Sequence, residues 1–307
     1  MTRTKTDVLQ LAKREGVKFV QLQFTDILGA VKSVTIPISQ FSKALDEGIF
    51  FDGSSIMGYA TIEESDMRLR PVPESFVILP WTEGELKTAR LACEVYDHNG
   101  NRFEGDPRWA LERMMDKAKE HGWVFYTAPE YEFFLLMRDA EGNPTTKPTD
   151  YGNYFDLMRD RGEAIRNQIV NYLNTMGLEV EASHHEVAPG QHEIDLKYAD
   201  ALTSADRVTL MKYTTKTIAD QHGWYATFMP KPIYGVNGSG MHTHQSLMTQ
   251  QGKNVFYDAR GPYKLSKEAL YFIGGLIHYA REICAVLASS VNSYKRLVPG
   301  YEAPVYI

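Results

Sequence analysis

Acidic and histidine side chains recur in three short stretches of this sequence. The stretches are APEYEFF, HHEVAPGQHEID and GSGMHTHQSL, and the residues are Glu130, Glu132, Glu186, Glu193, His242 and His244. Carboxylate oxygens are ligands that suit Mg²⁺ and Mn²⁺, and these ions usually lie beside substrate phosphates rather than in closed protein cages. The sequence therefore predicts a metal-dependent enzyme that handles phosphate groups.

Glu130 and Glu132 are two residues apart in a strand-like run. Their side chains share one face, roughly 7 Å apart along the backbone, while Tyr131 and Phe133 face the other way. Two carboxylates at that spacing can each hold a separate ion. An isolated pair of this kind is more often an ordinary solvated strand face, so its meaning depends on the other two stretches.

Pro189 and Gly190 form a turn signal between two strand-like arms. A turn there predicts a hairpin that brings Glu186 and Glu193 close together at one end. Asp195 falls on the Glu193 face and is a weaker candidate ligand. Three histidines accompany these carboxylates, and each one singly is more often a hydrogen-bonded structural residue; they are His184, His185 and His192.

The third stretch runs from a glycine-rich loop into a strand. Gly238 and Gly240 permit a close approach of the backbone to a ligand, although the loop could simply turn. Alternation then places His242, His244 and Ser246 on one face. Neither GxxxxGK[ST] nor GxGxxG occurs, so any ATP site must be of another design.

Two further strings are dense in polar and glycine residues, FDGSSIMGYATIEESDM at 51–67 and NSYKRLVPGYEAP at 292–304. Asp52 and Ser55 have the chemistry to cap a helix or bind an ion, and a plain Asp-Gly turn is the alternative. Arg296 lies near Glu302 in what reads as a Pro/Gly loop. Arginine suits bidentate recognition of carboxylate or phosphate, although a surface ion pair is the commoner role.

The pattern around these motifs indicates two domains, 1–104 and 105–307. After an N-terminal helix, the first is β-rich, with strands expected at 18–24, 31–36, 76–80 and 89–96. Asp106 and Pro107 then favour the start of a helix that Gly122 would end. The second domain mixes helices expected at 163–176, 205–222 and 266–287 with strands expected at 131–137, 179–187, 191–197 and 241–248.

Composition narrows the choice of partners and compartment. The 307 residues carry a net charge of −6 and no Lys/Arg-rich run, so neither nucleic acid nor an anionic membrane is an expected partner. The two cysteines show no metal-type spacing, and the N-terminus lacks the apolar core of a signal peptide. The apolar segment 269–280 is too short to span a membrane. These features together favour a cytoplasmic enzyme.

The ordered set of motifs resembles bacterial type I glutamine synthetase, from about Phe19 to the last residue. The resemblance implies an α+β fold: a small N-terminal β-grasp domain, then a catalytic domain with a curved, largely antiparallel sheet and flanking helices. It implies ATP-dependent ligation of ammonia to L-glutamate through a γ-glutamyl phosphate intermediate, with two or more Mg²⁺ or Mn²⁺ ions per site. It also implies assembly into two stacked hexameric rings, with each site formed between adjacent subunits.

The same resemblance assigns roles to particular residues. Glu132, Glu186 and Glu193 match the ligands of a first, tighter ion, and Glu130 with His242 matches two ligands of a second ion between the ATP phosphates. The amino-acid substrate would be held by Asn237, Gly238 and Arg296. Glu302 matches the flap residue that closes over the site, and Tyr154 matches a tyrosine of the ammonium pocket. Asp52 and Ser55 match a loop that reaches into a neighbouring subunit's site, where the aspartate helps to bind and deprotonate ammonium. The ATP-site candidates are Glu181, His244 and Ser246.

The sequence departs from the family pattern in two places. The pattern continues well beyond Ile307, where it would supply the remaining ligand of the second ion and several phosphate-binding arginines, so a truncated chain is expected. Thr61 stands where the related branch has an arginine linked to glutamine feedback. The alternatives are γ-glutamyl transfer to another amine, a non-catalytic or regulatory member, and more distantly a metal-dependent hydrolase.

Overall fold

The structure is a computed structural model that describes residues 3–303. The chain divides into two compact units, Met1–Lys117 and Ala118–Ile307. The division falls inside a helix, thirteen residues after the 104/105 boundary expected from sequence texture. Each unit has its own sheet and is described by itself.

The first unit is built on a six-stranded sheet. Its strands are β1 Phe19–Thr25, β2 Val31–Pro37, β3 Ile49–Asp52, β4 Asp66–Pro71, β5 Val77–Ile78 and β6 Thr88–Tyr96, in the order β2-β1-β6-β4-β3 with β5 also paired to β6. β1 and β6 are parallel, and the other pairs are antiparallel. The helices are α1 Lys5–Arg14, α2 Phe41–Glu47 and α3 Pro107–Glu120.

Local chemistry explains the first hairpin of this sheet. Asp26 Oδ1 accepts hydrogen bonds of 2.9 Å from the backbone N–H groups of both Leu28 and Ala30. Gly29 supplies the left-handed residue of the turn, at φ 76°. The turn fixes the register of β1 against β2 and directs a common apolar face inward, where the buried core includes Val20, Leu22, Phe41, Phe76 and Leu91.

The second unit is arranged around one long strand, β7 Trp123–Arg138. The other strands are β8 Pro144–Pro148, β9 Val180–His185, β10 Gln191–Leu196, β11 Ala199–Asp200, β12 Trp224–Thr227 and β13 Met241–Thr249. β8, β10 and β11 pair with one edge of β7, and β12 and β13 pair with the other, all antiparallel. β9 extends the sheet beyond β10. The helices are α4 Glu163–Thr175, α5 Ala201–Gln221, α6 Lys267–His278, α7 Ala280–Leu287 and α8 Val291–Arg296.

The two faces of β7 differ in chemistry. Phe133 and Leu135 are fully buried on one face, and α5 packs against β7 and β12. Glu130 and Glu132 project from the other face, as the alternation predicted. The register then places acidic and histidine side chains of β10, β9 and β13 beside them.

Several element predictions were wrong in extent. The run 266–287 is not one helix, because Tyr279 leaves helical geometry at φ −98°, ψ 13° between α6 and α7. The 131–137 strand begins already at Trp123, and α5 begins at Ala201, where the Asp200 side chain caps it. Residues 291–296 form α8 rather than a loop, because Ser290 caps that segment.

Among the described residues, the helices α6 and α7 are the ones whose length and composition approach those of a membrane span. Between residues 3 and 303, no single helix is both long and apolar enough to cross a membrane. α6 and α7 have a sufficient length and composition only when taken together, and they are bent by 74°.

Candidate active site

The first group of predicted ligands lies across three adjacent strands of the second unit. Glu132 of β7 is directly opposite Glu193 of β10, which in turn is opposite His184 of β9. His184 Nε2 lies 3.3 Å from Glu193 Oε1, and its Nδ1 lies 4.0 Å from Glu186 Oε1. The hairpin therefore brings Glu186 and Glu193 together as its turn predicted.

The electrostatics of this group favour a bound cation. Burial, together with the negative charges of Glu186 and Glu193, raises the pKa of Glu132 to about 7, although a hydrogen bond from the Gly240 backbone acts in the opposite direction. Burial and the Glu193 charge also raise the pKa of Glu186. Carboxylates held this close repel one another, and a divalent cation among them would relieve that repulsion. The donor set therefore fits Mg²⁺ or Mn²⁺.

The second group converges on one carboxylate. His244 Nε2 lies 2.6 Å from Glu130 Oε1, and His242 Nδ1 lies 3.3 Å from Glu130 Oε2. The hydrogen bond from His244 lowers the pKa of Glu130. The resemblance places His244 near the nucleotide. His244 and the predicted metal ligand His242 thus both contact the carboxylate of Glu130.

A third cluster joins the first two. Ligand atoms of His184, Glu193 and Asp195 all lie within 4.8 Å of one another. Burial and the Glu193 charge raise the pKa of Asp195 to about 7. Sequence reasoning ranked Asp195 as a weaker ligand and gave His184 no specific role, although the period of two along β9 and β10 places both on the acidic face.

A cavity of about 450 Å³ opens over this face. Eight of the predicted site residues line it, namely Glu132, Tyr154, Glu186, Asn237, Gly238, His242, Arg296 and Glu302, together with Asn153, Val187, Gln191 and Tyr301. The lining places a cationic guanidinium opposite carboxylates in one concave space. Such a space suits a small charged substrate.

Arg296 enters the cavity from the end of α8. The glycines of the facing loop make room for it, because a β-carbon on Gly240 would lie 2.7 Å from Arg296 Nη2 and 3.2 Å from Glu132 Oε1. Among the described residues, the buried Arg296 Nε has no hydrogen-bond partner. A partly buried guanidinium with an unused donor is suited to a substrate carboxylate.

Asn237 and Glu302 meet across the cavity mouth. Asn237 Nδ2 donates a 2.6 Å hydrogen bond to Glu302 Oε2. Glu302 has φ 58°, an uncommon conformation for a residue other than glycine. Next to it, the ring of Tyr301 lies 3.8 Å from Lys231 Nζ. The segment carrying Glu302 thus closes onto the loop that carries Asn237.

Tyr154 lies on the loop between β8 and α4 and is half exposed. Its ring stacks on Phe155 at 4.0 Å between centroids, and both rings meet the edge of His184. Phe155 is held at φ 60° to make this contact. The loop therefore brings Tyr154 to the cavity beside the acidic face.

A second cavity of about 260 Å³ lies further along β13. His244 and Ser246 line it, together with Tyr126 and Tyr198, whose rings are 5.9 Å apart. Its walls are mainly apolar, which suits a flat ring system. Neither tyrosine was singled out from the sequence, because an aromatic residue in a strand looks like ordinary core. Glu181 is exposed on β9 and lines neither cavity.

Asp52 and Ser55 belong to the first unit. Asp52 caps a short 3₁₀ turn, accepting hydrogen bonds from the backbone N–H of Ser54 at 2.9 Å and from its hydroxyl at 2.6 Å. These bonds lower the pKa of Asp52. Ser55 Oγ lies 3.4 Å from the other carboxylate oxygen. Both side chains are exposed on this loop.

The two remaining histidines face the other side of the sheet. His185 is buried, with Nδ1 donating to the Glu186 carbonyl at 2.6 Å and Nε2 to Asp150 Oδ1 at 2.9 Å. Burial opposes its charge, but the hydrogen bonds to Asp150 and to the Glu186 carbonyl, with the charges of Asp150 and Asp160, together raise the pKa of His185. His192 Nδ1 accepts from Arg166 at 2.9 Å. A β-carbon would lie 2.5 Å from His185 Nε2 if added to Gly152 and 2.4 Å from His192 Nε2 if added to Gly162, so both glycines lie close to the rings. Ligand atoms of the two histidines, Asp150 and Asp160 lie within 4.8 Å of one another, so this buried group has the composition of a cation site as well as that of a hydrogen-bonded structural cluster.

Comparison with known proteins identifies the family of this chain. The family described as glutamine synthetase, catalytic domain, matches residues 104–307, and the glutamine synthetase beta-Grasp domain matches residues 16–98. The chain belongs to the glutamine synthetase family. The predicted family, enzyme class and α+β fold with an N-terminal β-grasp domain are thereby confirmed.

Relatives named glutamine synthetase match almost the whole chain. The protein from Methanosarcina mazei is 53% identical over 305 residues, which cover 99% of this chain and 68% of the relative. The protein from Thermus thermophilus is 55% identical over 312 residues, covering 100% of this chain and 70% of the relative.

Solved structures match equally well. A structure titled apo GmaS without ligand superposes with a TM-score of 0.87 at 34% identity, covering 95% of this chain and 68% of that one. A related structure of a GmaS/ADP complex has the same TM-score and identity, covering 100% of this chain and 69% of that one. Glutamine synthetase of Plasmodium falciparum gives 0.86 at 29% identity, covering 97% and 64%.

Proposed function

We propose that this chain performs the glutamine synthetase reaction with its own acidic face as the metal centre. The γ-carboxylate of L-glutamate would attack the γ-phosphorus of ATP and release ADP. Ammonia would then attack the resulting γ-glutamyl phosphate, so that phosphate leaves and L-glutamine forms. The observation that carries the proposal is the 450 Å³ cavity, where a guanidinium faces carboxylates with raised pKa values.

The strand register suggests how the metal ligands are divided between two ions. Glu132, Glu186 and Glu193 would hold a first Mg²⁺ or Mn²⁺ ion, and Glu130 with His242 would hold a second. Bound divalent ions supply neutralisation of charge on the phosphates and the substrate carboxylate. The support is the opposed register of Glu132 and Glu193 and the convergence of His242 on Glu130.

Substrate binding would use the opposite wall of the cavity. Arg296 would bind a carboxylate of L-glutamate through its unused donor, and Asn237 and Gly238 would position the amino-acid backbone. Close packing favours this role, because a β-carbon on Gly238 would lie 3.1 Å from Arg296 Cγ. Fixing both reactants in this way lowers the entropic part of the barrier.

Ammonia must be deprotonated and water kept out. Glu302 would close the cavity mouth through its hydrogen bond with Asn237, and Tyr154 would line the ammonium pocket. Asp52, with Ser55, would bind ammonium and accept its proton in the site of a neighbouring subunit, with the chain assembled in stacked hexameric rings. The Ser54 bonds lower the pKa of Asp52, and an ionised carboxylate suits the binding of the ammonium cation. ATP would bind near His244 and Ser246, with Glu181 as a further contact.

The acceptor amine is the part of this proposal most open to test. ADP release should be measured with L-glutamate, ATP and Mg²⁺ and with ammonium, methylamine or a polyamine as the third reactant. Ammonium should give the highest kcat/KM. ADP release that only a larger amine stimulates would favour γ-glutamyl transfer to that amine, and no release with any amine would favour a non-catalytic member.

A further inference from the structure

Gln191 is a buried amide in the cavity wall that no step of the reaction uses. It is 1% exposed and lies at the start of β10, directly after the turn that joins β9 to β10. Its Nε2 lies 2.9 Å from Glu132 Oε2, 3.1 Å from the Gly238 carbonyl and 3.3 Å from Ser239 Oγ. One side chain therefore reaches both the acidic face and the glycine loop.

The orientation of the amide is fixed by its partners. Gln191 Oε1 accepts a 3.1 Å hydrogen bond from the backbone N–H of Ala188. A flipped amide would place its oxygen against the Glu132 carboxylate and the Gly238 carbonyl, which are both acceptors. The two N–H bonds of Nε2 match the two nearest acceptors, Glu132 and Gly238.

Bonds other than those of Gln191 also attach the loop 237–240, and Asn237 Nδ2 donates to Glu302 Oε2 at 2.6 Å. The Ser239 N–H donates to the Pro230 carbonyl at 2.9 Å, and the Gly240 carbonyl accepts from the Glu132 N–H at 3.4 Å. The second bond is long, whereas the bonds from Gln191 to Glu132 and to the Gly238 carbonyl are 2.9 and 3.1 Å, and they act beside the hydrogen bond from the Gly240 backbone to the Glu132 side chain. A charge-assisted bond from a fully buried amide to a carboxylate is also stronger than a neutral one.

We propose that Gln191 is a positioning residue that couples the first-ion ligand Glu132 to the substrate loop 237–240. A cation bound by Glu132 would fix the Oε2 atom that Gln191 holds, and the amide would then fix the Gly238 carbonyl. Metal binding and amino-acid binding would thus stabilise each other. This inference rests on the proposed function for the identity of the two ligands.

Two variants separate this role from simple support of the turn. Gln191→Met has a similar volume and lacks every polar atom. Gln191→Glu keeps the acceptor for Ala188 but loses both donors and places a second carboxylate beside Glu132. If Gln191 only supports the turn, Gln191→Glu will resemble wild type. If its donors matter, both variants will lose the coupling.

Hydrogen exchange of the ligand-free chain gives the first readout. Both variants should raise the exchange rate of backbone amides in residues 237–240 by roughly tenfold, the effect of losing about one buried hydrogen bond. Gln23→Met is a matched control, because Gln23 is 4% exposed in the first unit and bonds to Arg90. It should leave the exchange of residues 237–240 unchanged. Wild-type exchange there in both Gln191 variants would overturn the inference.

Binding gives the second readout. The Kd for Mn²⁺ should be measured by electron paramagnetic resonance with and without saturating L-glutamate. Wild type should bind Mn²⁺ more tightly when glutamate is present, and both Gln191 variants should lose most of that difference. An undiminished difference in the variants would overturn the inference. Failure of wild type to bind Mn²⁺ at all would contradict the proposed function instead, and the exchange experiment would still decide the role of Gln191.

Discussion

Arg296 fits against the backbone of Gly240, where a side chain would displace it. A β-carbon at Gly240 would lie 2.7 Å from Arg296 Nη2. The backbone at Gly240 is outside the left-handed region, so alanine is allowed there, but the guanidinium must move and Glu132 Oε1, 3.2 Å from the added carbon, must shift slightly. The identity of residue 240 therefore controls the position of the proposed carboxylate-binding group.

Gly240→Ala should raise the KM for L-glutamate by roughly tenfold, because shifting a well-packed charged group costs about 1–2 kcal/mol. Steady-state kinetics with varied glutamate measures this change. Gly274→Ala is the control, since in the described part of the chain no atom outside the adjacent residues and the backbone of α6 lies within 4 Å of a β-carbon at Gly274. An unchanged KM in Gly240→Ala would contradict the assignment of Arg296.

The two ion sites should respond to separate substitutions. Glu193→Gln should weaken the tighter class of Mn²⁺ binding, and Glu130→Gln should weaken the weaker class. Each Kd should rise by at least about tenfold, because even the loss of a residue that only hydrogen-bonds to a metal ligand has an effect of that size. Titration followed by electron paramagnetic resonance separates the classes. Glu179→Gln is the control, because Glu179 is exposed and pairs with Lys197. Equal weakening of both classes by one substitution would argue against the division of ligands.

The pH dependence of stability follows from the raised pKa of Glu132, about 7. The folded chain binds this proton more tightly than the unfolded chain does. The contribution to stability is therefore full below about pH 4.5 and is lost as the pH rises through 7. Without metal, the urea midpoint should fall between pH 5 and pH 8, and Mn²⁺ should restore it at pH 8. Glu132→Gln should flatten this fall; an equal fall in that variant would assign it to other groups.

Asp150 should be a strong determinant of stability. It is almost fully buried and accepts hydrogen bonds from His185 Nε2 and from the Gly190 N–H, each at 2.9 Å. Asp150→Asn removes the buried charge beside the His185 imidazolium and should lower the free energy of unfolding by ~3 kcal/mol. Urea denaturation measures this. Asp139→Asn, in an exposed turn with similar backbone bonds, should have a much smaller effect. Equal effects would show that burial at Asp150 carries no extra stability.

The fold and the acidic face could be predicted from the sequence because they depend on patterns among residues that are close together in the chain. The Glu130–Glu132 spacing and the Pro189–Gly190 turn were enough to place four carboxylates on one sheet face. The residues that each strand pairs with could not be predicted from the sequence in the same way. That His244 approaches Glu130, or that Gln191 reaches Gly238, depends on which strands flank β7, and this depends on packing between residues distant in sequence.

Other misses have local causes. The break at Tyr279 lies within a continuous apolar pattern, so periodicity alone favoured one helix. Tyr126 and Tyr198 line the second cavity but have the strand propensity of ordinary core residues. For His185 and His192, the sequence favours hydrogen-bonded structural residues, and the structure gives them the partners Asp150 and Arg166, which lie far away in sequence.

Isotope transfer tests the proposed reaction most directly. The chain would be incubated with ATP, Mg²⁺, ¹⁵N-ammonium and L-glutamate labelled with ¹⁸O in its γ-carboxylate, and the products analysed by mass spectrometry. A γ-glutamyl phosphate intermediate requires that one γ-oxygen leaves with phosphate. We expect glutamine carrying ¹⁵N and one ¹⁸O, with one ¹⁸O in each phosphate released. Absence of labelled glutamine, or phosphate without ¹⁸O, would contradict the proposal.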